Sequence, residues 1–277
     1  MIYILFVIGF VFLIKGADML VEGASSVAKK FHISDLVIGL TIVAIGTSAP
    51  ELVVNIMASI KGSAGIAIGN VLGSNIANIL LILGVSAITY PITVKKATTF
   101  KEIPFSLLAV LVLGFVANDA IIDGASFSGI TRIDGLVLLS FFAIFMYYVF
   151  GISRTENDLP EEVTVKKMSG WKSIIFIIIG LIGLTLGGQW IVDGAIQIAK
   201  IFGVSETVIG LTIVAVGTSL PELATCVVAA MKKKSDIAIG NIIGSNIFNI
   251  FWILGLSAII SPLPFNIGLD RDVLMTI

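Results

Sequence analysis

Of 277 residues, 57% are hydrophobic and 13% charged, with a mean hydropathy of +1.10, which excludes a water-soluble domain of this size and makes lipid the solvent for most of the chain. The net charge of −1 hides a segregation: charges cluster between apolar stretches of about 20 residues, the length that crosses a bilayer, and nucleic acid is excluded as a partner. With one cysteine, Cys226, and one histidine, His32, neither an intramolecular disulfide nor a Cys/His metal site can form, so any bound metal must be held by oxygen.

The first apolar stretch, Ile2–Ile14, has no basic region ahead of it and is followed by Lys15–Asp18, a poor cleavage site. It reads as the first of eight spans, expected near 2–27, 36–60, 64–89, 103–118, 133–150, 172–199, 207–231 and 237–261. Positively charged connections are retained on the cytoplasmic side. With the N-terminus outside, twelve basic residues, among them Lys95, Lys96 and Lys232–Lys234, fall on that side, against four (Lys61, Arg132, Lys200, Arg271) on the other. The expected location is the plasma membrane of a prokaryote. Arg154–Lys172 is the one long hydrophilic stretch and reads as a linker. The chain therefore divides into a first repeat at 1–150, a cytoplasmic linker at 151–171 and a second repeat at 172–277.

The repeats are visible directly. An offset of 171 residues superposes GLTIVAIGTSAPEL (39–52) on GLTIVAVGTSLPEL (210–223), and AIGNVLGSNIANI (67–79) on AIGNIIGSNIFNI (238–250). Five spans separate the start of one copy from the start of the next, so the copies enter the membrane from opposite faces. The fold class is an all-α polytopic membrane protein made of two inverted-topology helical repeats with broken helices at the midplane. The same offset places residue 277 at the equivalent of Ser106, which leads us to expect two further helices in the native protein, with a true eight-span protein as the alternative.

Within each copy a proline lies deep in a span. Pro50 and Pro221 cannot donate to the carbonyls of Gly46 and Gly217, and such a break inside hydrocarbon is tolerated where the freed backbone lines a cavity. Thr47 and Glu51, like Thr218 and Glu222, are four residues apart and share a helix face beside the opened turn. A carboxylate at mid-membrane costs about 3 kcal/mol or more, and two would repel unless protons or cations neutralise them. Two glutamates match one divalent cation in charge. Hydroxyls, carbonyls and carboxylates suit Ca²⁺, and fewer of them suit Na⁺. In the second motif, Asn70, Ser74 and Asn78, and their counterparts Asn241, Ser245 and Asn249, recur every fourth residue as neutral oxygen donors. Asn70, Asn75, Asn241 and Asn246 can equally be packing residues that hydrogen-bond between helices. Asp18, Glu22 and Asp193, toward the ends of the first and sixth spans, read as interfacial contacts.

The motifs GTSAPE with GNVLGSNIAN, and GTSLPE with GNIIGSNIFN, closely resemble the paired alpha repeats of the calcium/cation antiporter superfamily, in particular prokaryotic sodium/calcium exchangers. The resemblance implies ten helices in two inverted halves. It implies Glu51 and Glu222 as principal Ca²⁺ ligands, aided by the backbone oxygens of Thr47 and Thr218. It maps Na⁺ sites onto Ala44, Thr47, Ser48, Glu51, Ser74 and Asn78, and onto Ala215, Thr218, Ser219, Glu222, Ser245 and Asn249. Some relatives carry Asp where Asn249 stands. Calcium/proton exchangers of the superfamily typically carry a second acid in the GN motif, which both copies here lack, and this points to Na⁺ as the coupling ion.

The expected function is secondary antiport of Na⁺ for Ca²⁺, with cation/proton exchange or a passive cation channel as alternatives. No nucleotide-binding motif and no convergent acid–base–nucleophile set is present, so an enzyme is not expected. No cofactor is expected beyond the transported Ca²⁺ and Na⁺. The sequence leaves the oligomeric state open.

Overall fold

A computed structural model describes residues 2–122, 124–155, 168–204, 215–265 and 269–277. Two helices exceed the rest: α1 (Ile2–Phe31), of 30 residues, and the later Gly170–Ile201, of 32. At 1.5 Å per residue each is about 45 Å long, more than the about 30 Å hydrocarbon layer, so each must tilt or project.

After α1, Ser34 caps the next helix by accepting from the Val37 N–H at 3.3 Å. That helix, α2 (Asp35–Thr47), and α3 (Ala49–Ile60) make one span bent by 47°. α4 (Ala64–Thr89) follows, then α5 (Lys96–Phe100) and α6 (Glu102–Val116), interrupted at Lys101. α7 is Arg132–Thr155 and α8 is Gly170–Ile201. α9 (Ala215–Thr218) and α10 (Leu220–Met231) repeat the break of α2 and α3. α11 (Ser235–Ile260) and the short α12 (Asp270–Thr276) follow, and a single helical turn, Asp119–Ile122, lies between α6 and α7. β1 (Gly129–Ile130) pairs antiparallel with β2 (Leu263–Pro264), Ile130 opposite Leu263.

Among the described residues, α1, α4, α7, α8, α11 and α5–α6 taken together (Lys96–Val116) are six segments long and apolar enough to cross a membrane, and the bent pair α2–α3 makes seven. The expected span 207–231 is described only from Ala215 onward, since residues 207–214, like 156–167 of the linker, lie outside the described residues. The count of eight is thus approximate. Helix ends run longer than expected at α1 and α7, and the fourth span starts earlier, at Lys96.

Three helical interfaces position the interior. α1 and α8 lie antiparallel at backbone contact. A Cβ on Gly9 would come within 2.8 Å of the Gly187 oxygen, on Gly16 within 2.7 Å of the Leu184 nitrogen, and on Gly23 within 2.8 Å of the Ser173 oxygen. Small residues at every seventh position allow this approach. α2 meets α11 in the same way across the two repeats, Gly240 leaving only 2.6 Å to the Leu36 oxygen for any Cβ. On its other side α11 is wedged against α7 and α6 by rings: Phe248 on Phe142, Phe251 on Phe141 and Phe105, Trp252 on Phe142. Enclosed from both sides, α11 has 83% of its apolar stretch buried, against 28–39% in the other unbroken spans. It is the central helix, and the others turn much of their apolar surface outward, as a lipid solvent permits.

Candidate cation site

The interruption in each broken span falls at a serine. Ser48 has φ −81° and ψ 7°, and Ser219 φ −89° and ψ 4°. Pro50 and Pro221 then sit in the first turn of the new helix, where a missing N–H costs no hydrogen bond. This corrects the expected mechanism in detail: the proline starts α3 and α10, and the turn that opens lies two residues before it. Glu51 and Glu222, next in sequence, occupy the same first turns and are buried, each 1% exposed. Carboxylates there also face the positive end of a helix dipole.

The four residues of spacing between Thr47 and Glu51 led us to expect a hydroxyl and a carboxylate of one copy side by side. The bend redirects them. The hydroxyls of Thr47 and Ser48 approach Glu222 of the other copy, and those of Thr218 and Ser219 approach Glu51. Ser48 Oγ donates to Glu222 Oε1 at 3.1 Å and lies 3.0 Å from Ser245 Oγ. A hydroxyl has one proton, so Ser245 donates to Ser48 and Ser48 to the carboxylate. In the mirrored position Ser219 Oγ lies 3.3 Å from Ser74 Oγ.

The same twofold relation governs the amides. Thr47 donates to Asn241 Oδ1 at 3.0 Å, and Thr218 to Asn70 Oδ1 at 3.4 Å. Asn78 Nδ2 donates to Asn246 Oδ1 at 2.9 Å, and Asn249 Nδ2 to Asn75 Oδ1 at 3.0 Å. Ser74, Asn75, Asn78, Asn241, Ser245, Asn246 and Asn249 are all buried. Asn78 and Asn249 lie in widened π-helical turns, Ala77–Ile82 and Phe248–Leu254, and a third such turn, Gly39–Val43, precedes Ala44. π-turns concentrate at functional sites because they rotate side chains out of the α register.

Among the buried carboxylate and amide oxygens without a hydrogen-bond donor are Glu51 Oε2, Glu222 Oε2, Asn78 Oδ1 and Asn249 Oδ1, all of residues singled out in the sequence; Asn55 Oδ1 and Glu102 Oε2 share that condition. The Ala44 carbonyl accepts from Ser48 N–H at 3.0 Å and lies 3.4 Å from the Thr47 hydroxyl, whose single proton goes to Asn241 Oδ1 at 3.0 Å. Of Ala215 only the backbone, at the start of α9, is described. No group of three or more His, Cys, Asp or Glu residues occurs among the described residues, so the charge of this cluster is that of two carboxylates.

Two features escaped the sequence reading. Asn55, fully buried one turn beyond Glu51, donates to the Glu51 main-chain oxygen at 3.0 Å. Its counterpart at the repeat offset is Cys226, whose sulfur accepts from Asn241 Nδ2 at 3.2 Å. The offset itself was the available signal, since it pairs two unlike residues at corresponding interior positions.

The family model described as sodium/calcium exchanger protein matches residues 1–151 and 172–277. The putative antiporter CaxA of Alkalimonas amylolytica is 41% identical over 265 residues, covering 92% of this chain and 79% of its own. The sodium/calcium exchanger MaX1 of Methanosarcina acetivorans is 36% identical over 293 residues, covering 94% and 83%. Among solved structures, the sodium-calcium exchanger NCX_Mj, soaked with 10 mM Na⁺ and zero Ca²⁺, superposes with a TM-score of 0.83 at 37% identity, over 100% of this chain and 89% of that one.

Proposed function

The chain belongs to the sodium/calcium exchanger family and is a membrane antiporter, and from that premise we propose that it exchanges Na⁺ for Ca²⁺ through a central site built on Glu51 and Glu222. The observation that carries this reading is the set of four donorless buried oxygens on Glu51, Glu222, Asn78 and Asn249. Interior acceptors with no donor are costly, and two carboxylates repel in a low dielectric, so cations relieve both penalties at once. The two glutamates balance one Ca²⁺. With the hydroxyls of Thr47, Ser48, Thr218 and Ser219, the serines Ser74 and Ser245, and main-chain oxygens including those of Ala44 and Ala215, the same groups can be divided among Na⁺ ions.

Ca²⁺ and Na⁺ then compete for one pair of acids. That competition is what couples their fluxes, provided the site opens to one face at a time. Both carboxylates are 1% exposed in this structure, a geometry suited to a closed step between the two openings. The charge bias of the connections favours the N-terminus outside, with residues 151–171 cytoplasmic between the repeats 1–150 and 172–277.

Purified protein in proteoliposomes provides the test. An outward-to-inward Na⁺ gradient is expected to drive radioactive Ca²⁺ movement, and Glu51→Gln or Glu222→Gln to reduce it by about 100-fold. Full Na⁺-driven exchange in both variants would overturn the assignment. Ca²⁺ movement driven by a pH gradient and indifferent to Na⁺ would select cation/proton exchange instead. Currents persisting with no exchangeable ion on the far side would select a channel.

A further inference from the structure

Lys232, the residue that ends α10, holds its ammonium 2.6 Å from Asp18 Oδ1, 3.4 Å from Glu22 Oε1 and 3.2 Å from the Asp18 main-chain oxygen. Asp18 and Glu22 are one turn apart on α1, so all three protons of one lysine are directed at a single stretch of that helix. Lys232 is continuous with the helix that carries Glu222. α1 instead shares its backbone-level glycine interface with α8. The ion pair thus ties the α1–α8 pair to the site-bearing bundle, at the membrane face that also carries Lys234 and Lys95.

The offset of 171 assigns each member a counterpart: Lys61 for Lys232, Asp193 for Glu22, and Gln189 for Asp18. Lys61 ends α3, the helix that carries Glu51, and Asp193 lies on α8. Because the repeats are inverted, this second set lies at the opposite face. There Lys61 and Asp193 are both exposed, and neither forms an ion pair with a described residue. Equivalent positions are therefore closed at one face and open at the other.

We propose that these residues form two reciprocal latches, Lys232 with Asp18 and Glu22 at one face and Lys61 with Asp193 at the other, each holding the α1–α8 pair in one of two alternating positions. The inference rests on the reading of the chain as an alternating-access antiporter. Two inverted copies reach the opposite-facing state by exchanging their local conformations, so a contact made by one copy in the first state is made by the other in the second. The side chains of Lys232, Asp18 and Glu22 are 28%, 41% and 36% exposed, and ion pairs so open to solvent are weak enough to break in every cycle. The copies are unequal, since Gln189 replaces a carboxylate, so the latch closed here is the stronger of the two.

Cysteines placed at 232 and 18, or at 61 and 193, and bridged by a short, reducible bis-methanethiosulfonate reagent, test this in proteoliposomes. The buried native Cys226 contributes no background. Each bridge is expected to stop exchange and each to be undone by reductant, with one bridge excluding the other. Lys232→Gln should raise the rate of bridging between 61 and 193 by about fivefold, whereas Lys61→Gln should leave bridging between 232 and 18 undiminished. Failure of the 61–193 pair to bridge during turnover, or simultaneous bridging of both pairs, overturns the latches. A doubly substituted protein that reductant cannot restore is misfolded, and the Lys232→Gln variant is then read by the accessibility to thiol reagent of a single cysteine at 189, one turn from Asp193 and exposed here, which must fall if the second latch closes. If the bridges alternate while Na⁺ drives no Ca²⁺ movement, the exchange reading fails and the latches stand.

Discussion

The main-chain oxygen of Asn246 accepts from Asn75 Nδ2 at 3.2 Å, and that bond decides which atom of a neighbouring amide faces the site. With its nitrogen committed to a carbonyl, Asn75 can offer Asn249 only its oxygen. Asn249 must therefore present Nδ2 to Asn75 and leave Oδ1 for the interior. Asn246 Oδ1 likewise accepts from Asn78 Nδ2, which leaves Asn78 Oδ1 free of a donor. The sequence left Asn75 and Asn246 open between packing and function, and in the structure both hydrogen-bond between helices to the amides of Asn249 and Asn78. Asn70 and Asn241 likewise serve Thr218 and Thr47. Asn75→Ala is expected to weaken Na⁺ dependence by about tenfold, in line with the loss of groups that orient ligands, while the purified protein keeps the unfolding temperature of a one-hydrogen-bond variant. The Na⁺ concentration giving half-maximal Ca²⁺ movement measures the effect, and an unchanged value would remove Asn75 from this role. The glutamates themselves were legible at once, because a carboxylate deep in a span is too costly to persist without a cation or proton to neutralise it.

At the scale of elements, proline marked the broken spans correctly but not the residue at which they break. A proline is best tolerated in a first turn, so Pro50 and Pro221 begin helices, and Ser48 and Ser219 absorb the change of direction. The three π-turns among the described residues were invisible in the sequence. Ala77–Ile82 and Phe248–Leu254 have the composition of any apolar helix, and a widened turn depends on what surrounds it. The glycines were visible, their partner helix was not. Gly16 leaves 2.7 Å for a Cβ against the Leu184 backbone, whereas Gly114 leaves 3.5 Å against the Val273 side chain. Gly16→Val should therefore cost about 1–3 kcal/mol through overpacking, or prevent assembly of α1 with α8. Gly114→Ala should lie within about 0.5 kcal/mol of the parent. Thermal unfolding in detergent compares them, and equal stabilities would contradict the close antiparallel contact.

For the whole molecule, orientation is a matter of charge bias and can be tested without any transport assay. With the N-terminus outside, a cysteine at 61 should react with a membrane-impermeant maleimide on intact cells, and one at 95 only after permeabilisation; the reverse pattern would invert the topology. Composition alone determined that this chain dissolves in lipid, and the fixed offset of 171 determined that it is two inverted copies of one unit, since both follow from residue type and order. Glu51 and Glu222 were likewise set apart by the cost of charge in hydrocarbon. Only the tertiary structure decided that each copy's hydroxyls serve the other copy's glutamate. Ser48 and Glu222 are 174 residues apart in the chain and 3.1 Å apart in space. A hydrogen bond acts over about 3 Å, and which residues come that close is settled by how α2, α4, α10 and α11 cross, through glycines that let backbones touch and aromatic rings that hold α11 in place.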